Sequence, residues 1–161
     1  MLHLAFAIHD RDNELIPKLI SLVTKSKAYH CELRFTDGTA ISSTYKYDVY
    51  FKKVYYDHWR WVCIPLPWIS EFEESEIRTR AQEIVDSGAK YDLLGAVLGK
   101  FSKKFNKKND YFCSELCAEL ISSYIDCIDT SRWYSPEDLW KEIATKLDED
   151  YPEFTDPSYK A

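Results

Sequence analysis

Two residues of this 161-residue chain, Cys113 and His30, have the types and settings for nucleophilic catalysis. The stretch Asp110-Tyr111-Phe112-Cys113-Ser114-Glu115-Leu116-Cys117 reads as the opening of an amphipathic helix with a cysteine in its first turn. From Cys113 the apolar positions continue as Leu116, Cys117, Leu120, Ile121 and Tyr124, the spacing of one buried helical stripe. A thiol there meets unpaired backbone N–H groups and the positive end of the helix dipole, and both favour thiolate. The thiolate is the nucleophile of cysteine hydrolases and transferases, and the same N–H groups can hold an oxyanion. A buried cysteine is more ordinarily a small hydrophobe, so the chemistry requires a partner base.

His30 is the histidine in an informative setting. In Tyr29-His30-Cys31-Glu32-Leu33-Arg34-Phe35 the apolar residues 29, 31, 33 and 35 share one face of a strand, and His30, Glu32 and Arg34 share the other. Two residues apart on one strand face means about 7 Å at the backbone. A glutamate side chain can close that gap and orient the imidazole, the third role of a triad. The following hairpin supplies rivals for that role. If Asp37-Gly38 forms a two-residue loop, Ser43 lies opposite Glu32 and Tyr45 opposite His30; with one more loop residue, Ser42 and Thr44 take that face. Glu32 is preferred because a carboxylate stabilises imidazolium better than a hydroxyl does. Without a base role, His30 is simply part of a solvated strand face. His3, His9 and His58 have weaker settings.

The elements that must position these groups are legible in outline. Strands are expected over 3–8, 29–35, 39–45, 49–56 and 59–66, rich in alternating, aromatic and β-branched residues. Helical spacing marks 13–25, 73–86, 90–98, the Cys113 segment to about Ile125 with Asp110 as N-cap, and a final helix opened by Ser135-Pro136-Glu137-Asp138. Residues after Leu147 are expected to fray. Strands first and helices afterwards predict an α+β fold, with an antiparallel sheet packed against helices and the histidine strand preceding the cysteine helix. One domain over 1–147 and an acidic tail over 148–161 account for the chain.

Composition narrows the function classes. A net charge of −6 argues against nucleic acid as partner. Lys100, Lys103, Lys104, Lys107 and Lys108 form a local basic cluster that is either a solvated loop or a contact for an anionic surface. No apolar run approaches the ~20 residues that span a bilayer. The N-terminus lacks the basic region and cleavage site of a signal peptide, which points to the cytoplasm. Five cysteines without a CxxC pair fit reduced thiols better than a disulfide framework, and a zinc site would need tighter ligand spacing. No cofactor is expected.

Together the two halves resemble the circularly permuted branch of the NlpC-type, papain-like cysteine peptidase superfamily, and more narrowly its YiiX-like members. The matching pieces are Ser26-Lys27-Ala28-Tyr29-His30-Cys31-Glu32-Leu33, Tyr91-Asp92-Leu93-Leu94-Gly95, Tyr111-Phe112-Cys113-Ser114-Glu115-Leu116 and Ser135-Pro136-Glu137-Asp138-Leu139. Their order agrees with the family from about residue 4 to residue 140. The resemblance implies a permuted papain-like fold with Cys113 as nucleophile, His30 as base and Glu32 as the acid two positions on. It also implies that Tyr91 lies beside the cysteine. Tyr29 departs from the pattern, standing where a serine is common before the histidine, a change expected to narrow the cleft.

The expected activity is a thiol hydrolase of the peptidase or amidase type that cleaves an amide or ester through an acyl-enzyme. Its substrate is a peptide, which for cell-wall work implies release by lysis as with a phage product, or a lipid-like acyl amide or ester. The rival readings are an acyltransferase on lipid-like substrates and a non-catalytic binding or virion-associated module that retains the fold.

Overall fold

The computed structural model describes residues 1–8, 27–56, 60–98 and 110–152. The helix expected over 13–25, His9, His58, the lysine cluster at 100–108 and the tail beyond 152 lie outside them. Five strands are formed: β1 (His3–Ala7), β2 (His30–Arg34), β3 (Thr39–Thr44), β4 (Asp48–Lys53) and β5 (Trp61–Pro65). They make one antiparallel sheet in the order β4-β3-β2-β1-β5, so β2 is central and paired on both sides. Four helices follow: α1 (Glu71–Asp86), α2 (Leu93–Leu98), α3 (Cys113–Ile121) and α4 (Pro136–Asp150). The fold class is α+β.

Strand alternation divides the sheet into two chemically different faces. Leu4, Phe6, Cys31, Leu33, Ile41, Val49 and Ile64 are buried in one core with Ile77 and Ala81 of α1, Leu116, Cys117 and Leu120 of α3, and Leu139 and Ile143 of α4. Each fully buried aliphatic side chain contributes roughly 1.5–3 kcal/mol. The opposite face carries His3, His30, Glu32, Arg34, Ser42, Lys52 and Trp61, with register pairs His3↔Arg34, Ala5↔Glu32 and Ala7↔His30 aligning β1 to β2.

The β2–β3 loop settles the open register. Phe35 N–H donates to Thr39 O at 2.8 Å and Gly38 N–H to Phe35 O at 3.0 Å, closing a three-residue loop Thr36-Asp37-Gly38. Gly38 adopts φ +80°, a left-handed conformation that a side chain would strain. The pairs Leu33↔Ile41 and Arg34↔Ala40 result, and that register carries Ser42 to Glu32 and Thr44 to His30.

The ends of several elements differ from the sequence expectations. Ser70 caps α1 in a reciprocal capping box with Glu73, so the helix starts at Glu71 rather than Glu73. Ser135 and Asp138 form the same box on α4. That helix does not fray after Leu147 but runs to Asp150, whose carboxylate accepts from Trp68 Nε1 at 2.7 Å and pairs with Lys146 at 2.9 Å. The cysteine helix stops at Ile121, short of Ile125, with Ser122 at its C-cap. Asp110 is not its N-cap. Phe112 holds that position without a side-chain hydrogen bond, and Asp110 Oδ1 accepts instead from Lys90 N–H at 3.1 Å. No helix among the described residues is long and apolar enough to cross a membrane.

Candidate active site

Cys113 is the first residue of α3, and its burial follows from the apolar stripe that presses α3 onto β2 and β3. Because Phe112 offers no capping oxygen, no N-cap side chain claims the N–H groups of this first turn. The approach to the turn is fixed by a small network. Tyr111 N–H donates to Lys90 O and Asp92 N–H to Tyr111 O, a bridge between the segments at 91 and 111. Ser43 Oγ–H donates to the same Tyr111 carbonyl at 2.6 Å, and Asp48 Oδ1 accepts from Tyr91 N–H at 3.0 Å. The β3–β4 hairpin thereby anchors both the chain entering α3 and Tyr91.

His30, the first residue of β2, meets Cys113 from the sheet, close enough for imidazole and thiol to shift each other's proton affinity. The other side of the ring faces a polar cluster: His30 Nε2 is 3.1 Å from Ser42 Oγ and 3.5 Å from Glu32 Oε2. With Nε2 so engaged, Nδ1 is the nitrogen left to face the thiol. Glu32 is fully buried and held on both oxygens, with Tyr56 Oη–H donating to Oε1 at 2.5 Å and Lys52 Nζ 2.7 Å from Oε2. Trp61 lies edge-on to the imidazole at 6.1 Å between ring centroids and packs on Tyr56 at 4.6 Å.

These contacts set the protonation states. Burial alone would lower the His30 imidazole, but the hydrogen bond and negative charge of Cys113, joined by those of Glu32, push it up to about 10. Burial likewise works against an ionised Glu32, yet His30 and Lys52 hold its carboxyl at about 2. A hydrogen bond from the Cys31 thiol is the largest influence on Cys113. Against the opposing effect of burial, Cys31, the His30 imidazolium and the Cys31 backbone bring the Cys113 thiol well below its ordinary value. Both shifts run towards the imidazolium–thiolate form of the pair. Cys113 is 3% exposed and the His30 side chain 16%, so the pair is shielded from bulk water.

The structure brings together four of the six residues singled out from the sequence, namely Cys113, His30, Glu32 and Ser42. Tyr91 stands close enough for the Cys113 and Cys31 sulfurs to add to burial in raising its phenol, which stays protonated. Ser43 belongs elsewhere. In the three-residue-loop register it points to the helix side of the sheet and binds the Tyr111 carbonyl, away from His30.

Sequence reasoning missed Cys31, Lys52 and Tyr56. Cys31 was placed on the apolar face of β2, and that face turns out to meet α3, so its thiol bonds to Cys113 and Cys117. Burial and these two sulfurs raise the Cys31 thiol, which keeps its proton and donates. The alternation Tyr50, Lys52 on β4 was visible, but two hairpin registers had to be known before Lys52 could be aimed at Glu32. All five cysteines are free thiols.

Comparison with family models, with curated proteins and with solved structures returns no match for this chain. The reading of the site stands on its geometry.

Proposed function

We propose that this protein is a thiol hydrolase that cleaves an amide or ester through an acyl-enzyme on Cys113, in the permuted papain-like arrangement its motifs resemble. One observation carries the proposal: a cysteine at the first position of a helix without a side-chain cap, set beside an imidazole whose Nε2 meets a buried carboxylate.

In the proposed reaction the Cys113 thiolate attacks the carbonyl carbon, forming the C–S bond and placing negative charge on the carbonyl oxygen. The first-turn N–H groups of α3, with the protonated Tyr91 phenol nearby, are suited to stabilise that oxyanion. The His30 imidazolium delivers its proton to the departing amine or alcohol as the C–N or C–O bond breaks. Neutral His30 then takes a proton from water, hydroxide displaces the thioester sulfur, and the acid product leaves with the imidazolium–thiolate pair restored. Glu32 holds the ring through Nε2 and stabilises its positive charge in both half-reactions; Lys52 and Tyr56 keep Glu32 ionised and fixed.

The test is the rate at which iodoacetamide labels Cys113 from acid to alkaline pH, mapped by peptide mass, beside turnover of p-nitrophenyl acetate. Rapid labelling well below the titration range of a free thiol, slowed in His30→Ala, together with turnover abolished in a folded Cys113→Ala, is the expected result. Free-thiol behaviour in both wild type and His30→Ala overturns the proposal.

A further inference from the structure

The polar face of the sheet holds a basin of about 510 Å³ that adjoins His30 and Glu32 through Trp61 and Tyr56. Its lining includes His3 of β1, Arg34 of β2, Trp61 and Cys63 of β5, and Tyr56. Two of these side chains touch His30 and Glu32. Trp61 meets the His30 ring edge-on, and Tyr56 donates its hydroxyl proton to Glu32. The basin is thus walled by the residues that support the imidazole.

Arg34 is the unexplained group here. Its Nε is buried without a hydrogen-bond partner, and no carboxylate pairs with its guanidinium among the described residues. A buried N–H without an acceptor is costly, and water or a bound acceptor in the basin resolves it. The neighbouring cation, Lys52, is already committed to Glu32 at 2.7 Å. His3 hydrogen-bonds the Met1 carbonyl through Nδ1 at 2.9 Å, and burial, with the Arg34 charge contributing, lowers its basicity, so it is neutral at pH 7. Burial holds the Cys63 thiol protonated, and the Tyr56 phenol is raised by burial and by Glu32. Arg34 is therefore the one fixed charge of this lining at neutral pH. A single planar cation in a lining that also holds Tyr55, Tyr56 and Trp61 matches a single planar anion, which is a carboxylate rather than a phosphate dianion.

Resting on the acyl-enzyme reading, we propose that the basin recognises a carboxylate on the acyl portion of the substrate, held by Arg34 while the scissile carbonyl sits at Cys113. The strand spacing sets how far that carboxylate lies from the imidazole. His30 and Arg34 are four residues apart on one face of β2, about 13 Å. That separation matches about four residues of extended peptide. The preferred acyl group is an extended chain with an acidic end, and Tyr56 and Trp61 form the apolar floor between its two ends.

Succinyl-Ala-Ala-Ala-p-nitroanilide and its acetyl counterpart differ by one carboxylate at roughly this distance from the anilide carbonyl. Binding of each to folded Cys113→Ala protein is measured by calorimetry, with and without Arg34→Gln, so that the readout does not depend on the thiol chemistry. The expected result is a preference of about tenfold for the succinyl compound, reduced to less than about twofold by Arg34→Gln and partly kept in Arg34→Lys. The preference should also weaken as salt is added. Equal binding of the two compounds, or a preference that survives Arg34→Gln, overturns the carboxylate site even if Cys113 proves reactive. An unreactive Cys113 alongside an Arg34-dependent preference would instead sink the hydrolase and leave the binding site standing.

Discussion

Replacing Glu32 with glutamine keeps its shape and removes its charge, and the structure gives the size of the effect. Oε2 lies 3.5 Å from His30 Nε2. A unit charge at that range contributes about 5 kcal/mol at an effective dielectric of about 20. Lys52, 2.7 Å from the same oxygen, stays in place in the variant and so does not offset this loss. The loss corresponds to a fall of at most about three units in the His30 pKa. It starts from about 10 in the wild type. Loss of imidazolium also withdraws support from the thiolate, so the Cys113 pKa rises as the His30 pKa falls. The window in which both charged forms coexist closes from both sides. NMR titration of the His30 ring reads the first change, and the acid limb of iodoacetamide labelling at Cys113 reads the second. The variant also leaves Lys52 short of its anion, at a cost of about 1–3 kcal/mol in stability, so both titrations are run well below its melting temperature. If neither titration moves in a protein that remains folded, Glu32 does not govern the imidazole and the triad-like reading of β2 is wrong.

Three further outcomes follow from the same geometry. Cys31→Ser replaces the strongest influence on the Cys113 thiolate with a different donor, and Cys31→Ala deletes it; the alanine variant should raise the Cys113 pKa by about one unit, read from the ultraviolet absorbance of the thiolate. Ser42→Ala and Ser43→Ala should separate cleanly although the residues are adjacent. The first slows Cys113 labelling by loosening His30, while the second costs about 1 kcal/mol in urea unfolding by removing one of the two hydrogen bonds on the Tyr111 carbonyl. Stability should fall at both pH extremes. The Glu32 carboxyl is depressed from 4.5 to about 2, so its contribution is full above about 4.5 and is lost as pH drops towards 2. The His30 imidazole is raised from 6.5 to about 10, so its contribution is full below about 6.5 and is lost as pH climbs through 10. Urea midpoints across pH, in wild type and Glu32→Gln, check this, and an unchanged acid limb in the variant would count against the Glu32 assignment.

Local pattern was enough to place the reactive groups on their elements. The apolar stripe beginning at Cys113 could only be buried by a helix that carries the thiol inward, and strict alternation in Tyr29–Phe35 put His30 and Glu32 on one face whatever the partners of that strand. Ser135-Pro136-Glu137-Asp138 likewise states its capping box in four letters. These features depend on neighbours within a turn or two of chain, and the backbone periods fix them. Other features depended on relations between distant segments. Whether Ser42 or Ser43 met the imidazole turned on one loop residue, decided by Gly38 adopting φ +80°. The N-cap expected at Asp110 moved to Phe112 because Asp110 is drawn to the Lys90 backbone, a contact that exists only once the 90–92 and 110–111 segments lie side by side. The pairing of Lys52 and Tyr56 with Glu32, the Cys31 thiol beside Cys113 and the unmatched Arg34 all arise where strand register and helix docking bring side chains together across long stretches of chain. A one-residue slip in register reverses every side chain of a strand, so the sequence could nominate the reactive groups while only the tertiary structure could choose their partners.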